Sequence, residues 1–198
     1  VVVEAGDRVT GISAGTPVVS NSIVSCGDCA YCRRGETNLC RSRQVFGMHR
    51  GGAFAEYVNA PAAGVIPIPA GTDFRAACLT EPLANGVHMV EMTRHPETRD
   101  VLVIGAGPIG LMAQQAFQAL RGARVTVTDV REERLAVARS LGATRTVNPR
   151  EEDLGAVSRQ LTAGEGFDLV VDAVGMETTN AQGLALLRPG GTLVMIGL

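Results

Sequence analysis

The stretch Val101–Asp129 constrains the fold of this chain more than any other. "VLVIG" is a continuous apolar run of the kind found in strands buried on both faces. It leads directly into "GAGPIG", with Gly105, Gly107 and Gly110 in G-x-G-x-x-G register. Ile109, Met112, Ala113, Ala116, Phe117 and Leu120 then recur at helical spacing, and Gly122 stands where a helix would stop. "RVTVT" follows as a second strand and ends at Asp129. A strand, a glycine turn, a helix and a second strand make a βαβ unit, which implies a parallel sheet with right-handed crossovers.

Each glycine has a mechanical reason. The first makes the tight turn, the second lets backbone approach a pyrophosphate, and the third lets helix and strand pack closely. The free N–H groups of the helix start then face the phosphates. Gly105, Gly107, Pro108, Ile109 and Gly110 are therefore the candidate cofactor loop. Asp129 falls about 20 residues further on, where a carboxylate accepts hydrogen bonds from both ribose hydroxyls and repels a 2′-phosphate. NAD is expected over NADP. Arg131 and Arg134 oppose that preference, since an arginine there can pair with a phosphate, and Arg134 is the one placed to reach the adenosine end.

The alternation continues to the end of the chain. "REERLAVARSLGA" reads as helix, "TRTVN" as strand, "EEDLGAVSRQLTAG" as helix, "FDLVVDAVG" as strand, "TTNAQGLALL" as helix and "GTLVMIG" as strand. The first part has a different texture, rich in glycine, proline and β-formers. "AGDRVTGI", "GTPVVSNSIV", "GGAFAEYVNAP" and "GVIPIPAG" look like short strands between turns. A polar connection, "RHPETRD", separates the parts, so the expected domains are 1–90 and 91–198.

Four of the 5 cysteines sit in one loop-like stretch, "SCGDCAYCRRGETNLC". Cys26, Cys29, Cys32 and Cys40 read C-x2-C-x2-C-x7-C. Tight turns can aim the first three sulfurs at one centre, and a longer excursion returns the fourth. Four thiolates at about 2.3 Å fill the sphere of a zinc ion and leave no place for water, so such a site is structural. Gly27 and Gly35 suit the turns, and Arg33, Arg34 and Arg41 would offset part of the thiolate charge. A nucleic-acid zinc ribbon would instead show two CxxC pairs about 15 to 20 residues apart.

Composition sets the remaining bounds. Net charge is −2, which offers no electrostatic reason to expect nucleic acid or an anionic membrane as partner. The longest apolar run, Val101 to Ala113, is broken by glycines and a proline and falls short of the roughly 18 to 20 residues a membrane helix needs. No charged start followed by an apolar run marks a signal peptide. A cytoplasmic protein is the expectation, and there thiols stay reduced.

A four-cysteine lobe, "GGAFAEYV", "EPLANGVH" and a dinucleotide fold, in that order, together resemble the zinc-dependent medium-chain alcohol and polyol dehydrogenases, the sorbitol dehydrogenase-like members included. The resemblance covers essentially the whole chain. It implies an α/β protein: a partial GroES-like β-barrel domain with a zinc lobe, then a doubly wound Rossmann domain. It also implies that the lobe's zinc is structural and that a separate catalytic zinc takes Glu81 as ligand, directly or through its water. By the same resemblance Ile109 touches the nicotinamide side of the cofactor, and Ile196, Gly197 and Leu198 line that pocket. The implied reaction is hydride transfer between NAD and the CH–OH group of a small-molecule alcohol, by a homodimer or homotetramer. "PVVSNSIVSCGDC" and "FGMHRGGAFAEYV" look most like members acting on sugar alcohols or sugar acids.

The family's first catalytic cysteine and its G-H-E segment precede the "GDRV" strand, which here begins only a few residues after Val1. The expectation is an internal part of a longer dehydrogenase, without turnover by itself. Two other readings stand beside it: a zinc-free quinone or enoyl reductase of the same superfamily, which would lack the cysteine lobe, and a non-catalytic zinc-stabilised nucleotide-binding module. Glu81 also reads as a capping glutamate at a helix start before Pro82. His49, His88 and His95 read as loop, helix-surface and solvated residues, and Cys78 as a small buried hydrophobe.

Overall fold

The computed structural model describes residues 1–93 and 98–197. Most of the polar connection, with His95, and the terminal Leu198 lie outside the described residues. The chain divides into two compact units, Val1–Thr80 and Glu81–Leu198.

The second unit is built on one parallel sheet. Its strands are β5 (Asp100–Ile104), β6 (Arg124–Thr128), β7 (Arg145–Val147), β8 (Phe167–Asp172) and β9 (Leu187–Met195), in spatial order β7-β6-β5-β8-β9. The helices between them are α4 (Pro108–Arg121), α5 (Glu132–Ser140), α6 (Leu154–Leu161) and α7 (Glu177–Ala185). Successive strand residues face opposite sides, and the apolar runs feed two cores. Val101 and Val103 of β5 pack with Ala113, Ala116 and Phe117 of α4 and Leu135 and Ala138 of α5. Leu102 and Ile104 pack on the other face with Leu154 and Val157 of α6. The α4 helix ends at Gly122, whose φ of 60° supplies the left-handed cap that stops it.

The helix before the sheet, α3 (Thr80–Met92), belongs to this core through Met89 and Val90. Gly86 lets it approach α4: a Cβ there would lie 2.7 Å from the Met112 carbonyl oxygen. The division therefore falls at Thr80, with α3 on the sheet's side of it, whereas the sequence boundary at 90 left the helix with the first part.

At the amino ends of the strands, Asp168 accepts hydrogen bonds from the Arg99 and Asp100 N–H groups at 2.8 and 2.9 Å and from Arg188 Nε at 2.6 Å. Burial pushes its pKa up, but the Asp100 N–H, the Arg188 guanidinium and the Arg99 N–H outweigh it and hold the carboxyl below the usual range. A pKa lower in the folded than in the unfolded chain stabilises above the unfolded value of about 3.9 and loses that contribution as pH falls through the folded value. Asp168→Ala is expected to cost about 2 kcal/mol in urea unfolding at neutral pH. The gap between variant and wild type should narrow on acidification, and an equal gap at acidic pH would show that the charge contributes nothing.

The first unit is sparser. It holds two separate antiparallel pairs: β1 (Val18–Ser20) with β4 (Val65–Pro67), and β2 (Ile23–Val24) with β3 (Gln44–Val45). It also holds the single-turn helices α1 (Ala30–Arg33) and α2 (Phe74–Ala77). "AGDRVTGI" and "GGAFAEYVNAP", read as strands from their composition, are irregular here, and Phe54 and Tyr57 are exposed. A strand cannot satisfy its own backbone groups, and among the described residues nothing pairs with these two segments. The expected partial barrel is thus represented by two ribbons.

Candidate metal centre and dinucleotide site

The lobe is shaped by turns. Gly27 and Gly35 take φ of 78° and 82°, a region glycine enters freely, and they reverse the chain on either side of α1. As a result the Sγ atoms of Cys26, Cys29, Cys32 and Cys40 all lie within 4.8 Å of one another. Cys29 and Cys32 sulfurs are 3.5 Å apart, and Cys26 and Cys32 sulfurs 3.9 Å. A tetrahedron of 2.3 Å zinc–sulfur bonds has edges of about 3.8 Å. The four are free thiols, not disulfides. Backbone N–H groups already point at them: Cys26 N donates to Cys40 Sγ at 3.3 Å and Cys29 N to Cys26 Sγ at 3.4 Å.

These donors shift the thiols apart. The Cys32 N–H is the main influence holding Cys29 down to about 6. The Asp28 and Cys29 N–H groups pull Cys26 below its ordinary value. Burial, then the Cys29 thiol, push Cys32 up to about 11. Four sulfurs this close cannot all ionise alone, and a divalent cation at their centre removes the conflict. The donor set fits zinc. Arg33 pairs with Asp28 at 3.1 Å and Arg34 with Glu36 at 2.8 Å, while Arg34 and Arg41 lie over the Tyr31 ring at 5.0 and 5.7 Å.

In the second unit the glycine loop is held from below. Gly105 has φ of 99°, and its N–H donates to the Thr128 carbonyl at 2.7 Å. A Cβ on Gly110 would stand 1.9 Å from the Gly105 oxygen, so α4 packs on the turn only because the residue is glycine. A Cβ on Gly107 would meet nothing within 4 Å. Gly107 is also the N-cap of α4, with no side-chain cap, and Pro108 occupies the helix start. The open space thus lies in front of uncapped N–H groups, which suits an anion. The residues present fit a dinucleotide's pyrophosphate.

Two families of known proteins match this architecture in order. Residues 1–70 match the alcohol dehydrogenase GroES-like domain, and residues 108–198 match the zinc-binding dehydrogenase. L-Threonine 3-dehydrogenase of Shewanella frigidimarina is 39% identical over 197 residues, covering 100% of this chain and 58% of the relative. Alcohol dehydrogenase TADH from Thermus sp. ATN1 superposes with a TM-score of 0.88 at 32% identity, over 99% of this chain and 59% of that one. Galactitol-1-phosphate dehydrogenase from Escherichia coli gives 0.87 at 28%, over 97% and 56%. The chain belongs to the zinc-dependent medium-chain dehydrogenases. It spans 58% of the length of the first curated relative.

In this chain Asp129 is already engaged. Its Oδ2 accepts the Ala106 N–H at 2.9 Å and its Oδ1 the Arg131 N–H at 2.9 Å. Arg134 Nη1 reaches the same Oδ2 at 3.5 Å, and Arg131 pairs with Glu133. The residue that sequence reasoning assigned to the ribose thus also fixes the glycine loop, and Arg134 leans on the carboxylate. Ile109 and Ile196 are half-buried against the apolar core, and Gly197 is half-buried beside Val174 and Gly175.

Glu81 lies in the first turn of α3, exposed, with Oε1 accepting from Asn85 Nδ2 at 3.3 Å. Among the described residues the only group of three or more donors close enough to hold a metal is the cysteine lobe. One carboxylate does not make a catalytic zinc site. His49 and His88 are exposed: the His49 ring accepts the Val45 N–H at 3.2 Å, and His88 stands 4.0 Å from Glu91. Cys78, expected to be buried, is exposed and donates its thiol to the Arg75 carbonyl at 3.0 Å. It falls at the end of α2, where the last turn leaves carbonyls to be satisfied. Sequence reasoning missed Asp172, which is fully buried at the end of β8. A charged residue closing an apolar strand run was the available signal.

Proposed function

We propose that the protein is a zinc-dependent oxidoreductase that transfers a hydride between NAD and the CH–OH group of a small-molecule alcohol, of polyol or sugar-acid type. The observation that carries this reading is the open position at Gly107 before the uncapped start of α4, in a chain that also carries the four-thiol lobe. NAD, when bound, supplies the hydride acceptor. The chain's part is to hold it: the α4 N–H groups take the pyrophosphate, and Asp129 takes the adenosine ribose and disfavours a 2′-phosphate. Ile109, at the start of α4, and Ile196 and Gly197, directly after β9, are assigned to the nicotinamide side. Glu81 is assigned to the catalytic metal of the whole enzyme, where other ligands would join it. Neutral-to-anionic protein with unpaired thiols suits the cytoplasm. A homodimer or homotetramer of the whole protein is proposed on the family resemblance alone.

The test follows NADH and NADPH formation by the natural protein with polyols, sugar acids, L-threonine and simple alcohols. The expected result is turnover of at least one class with NAD ahead of NADP. A preference for NADP would mean that Arg134 leaves Asp129 for the phosphate, and no turnover with any member of the panel would remove the enzymatic reading.

A further inference from the structure

The strand order places a switch between β5 and β8: the chain leaves β5 toward β6 and β7 on one side, and then runs from β8 to β9 on the other. In open α/β sheets ligands bind outside the carboxyl ends of the strands at such a point. The segment directly after β8 occupies it. A Cβ on Gly105 would lie 2.8 Å from Val174 Cγ2, and a Cβ on Gly197 would lie 2.2 Å from Gly175 N. The Val174–Gly175 peptide is therefore wedged between the glycine turn and the end of β9.

One buried carboxylate sets that peptide. Asp172 is fully buried. Its Oδ1 accepts the Val174 and Gly175 N–H groups at 2.8 and 3.1 Å, and its Oδ2 accepts the Thr179 hydroxyl at 2.7 Å. The Thr179 oxygen in turn accepts the Met176 N–H at 3.1 Å. The Asp172 carbonyl oxygen accepts the Ile196 and Gly197 N–H groups at 3.0 Å each. Side chain and backbone of a single residue thus tie together the loop after β8, the start of α7 and the end of β9. None of these contacts reaches the adenosine side, where Asp129 holds the glycine loop.

We propose that Asp172, braced by Thr179, is a positioning residue for the nicotinamide end of the cofactor: it sets the height of the Val174–Gly175 peptide that lies between Gly105 and Gly197. The proposal rests on the cofactor reading above. Its mark is selectivity along the ligand. Loosening the peptide should weaken ligands that carry the nicotinamide ring and spare ADP-ribose, which lacks it.

Asp172→Ala would strip a buried network and endanger the fold, so the test uses Thr179→Val, which is nearly isosteric, and Thr179→Ser, which keeps the hydroxyl. Dissociation constants for NADH and ADP-ribose are measured by titration calorimetry on the natural protein, alongside thermal unfolding. Thr179→Val is expected to weaken NADH about tenfold, the effect of losing one hydrogen bond to a charged group, while ADP-ribose changes less than about twofold. Thr179→Ser should bind both like wild type. Equal weakening of both ligands, or NADH binding unchanged in Thr179→Val, overturns the proposal. Wild-type protein that binds neither ligand removes the cofactor reading, and this proposal with it.

Discussion

Cys40→Ser is expected to reduce bound zinc from one ion per chain to less than about a tenth of that, and to unfold the lobe around it. Cys40 is the fourth corner of the sulfur cluster and is fully buried, and its Sγ accepts the Cys26 N–H. Within the lobe, Ser25 to Cys40, only Cys40 is buried, so ordering it draws on the metal, and structural zinc contributes an apparent ~10 to 16 kcal/mol at neutral pH in small domains. The measurement is elemental analysis of protein purified without added metal, followed by limited proteolysis between Ser25 and Cys40. Serine, a poor zinc ligand, leaves three thiolates that no longer close the tetrahedron. Because protons compete for the same sulfurs, zinc should also leave as pH falls, with release complete before the second unit unfolds. A disulfide between any two of the four cysteines in metal-free wild type would sink the assignment.

The second large effect comes from comparing Gly107→Ala with Gly110→Ala. At Gly107 the backbone is extended, with φ of −75° and ψ of 179°, and a Cβ meets nothing. Alanine there should leave thermal stability unchanged and still weaken NADH about a hundredfold, because the methyl group fills the space a pyrophosphate needs. At Gly110 a Cβ would stand 1.9 Å from the Gly105 carbonyl oxygen and 3.2 Å from Val103 Cγ1. Alanine there must push α4 off β5, so both stability and cofactor binding should fall, by about 3 kcal/mol or more in the former. The pair separates a binding role from a packing role within one loop. Gly107→Ala with undiminished NADH affinity would place the pyrophosphate elsewhere.

Much of the sheet unit was legible because its determinants are local. The apolar run of β5, the glycine register, the spacing along α4 and the stop at Gly122 each lie within a few residues of the structure they direct. The cysteine spacing is equally local: two short turns and one excursion bring the sulfurs together. The strands of the first unit were not legible in the same way. "GGAFAEYV" has strand composition, yet strand formation requires hydrogen bonds from another segment, and composition alone does not say which segment pairs with it.

What the sequence determined by itself, then, is the order of elements in the second unit, the two-faced core of its sheet and the closeness of the four thiols. Period and turn chemistry suffice for those. Only the tertiary structure decided how the charged residues are used. Asp129 was readable as a candidate ribose ligand, but its hold on Ala106 appears only when β6 lies beside β5. Gly86 matters because α3 crosses α4 at Met112. Asp172 joins residues 174, 175, 179, 196 and 197 into one knot. A carboxylate's partners are chosen by distance in space, and no local pattern encodes contacts formed when β8 and β9 come together.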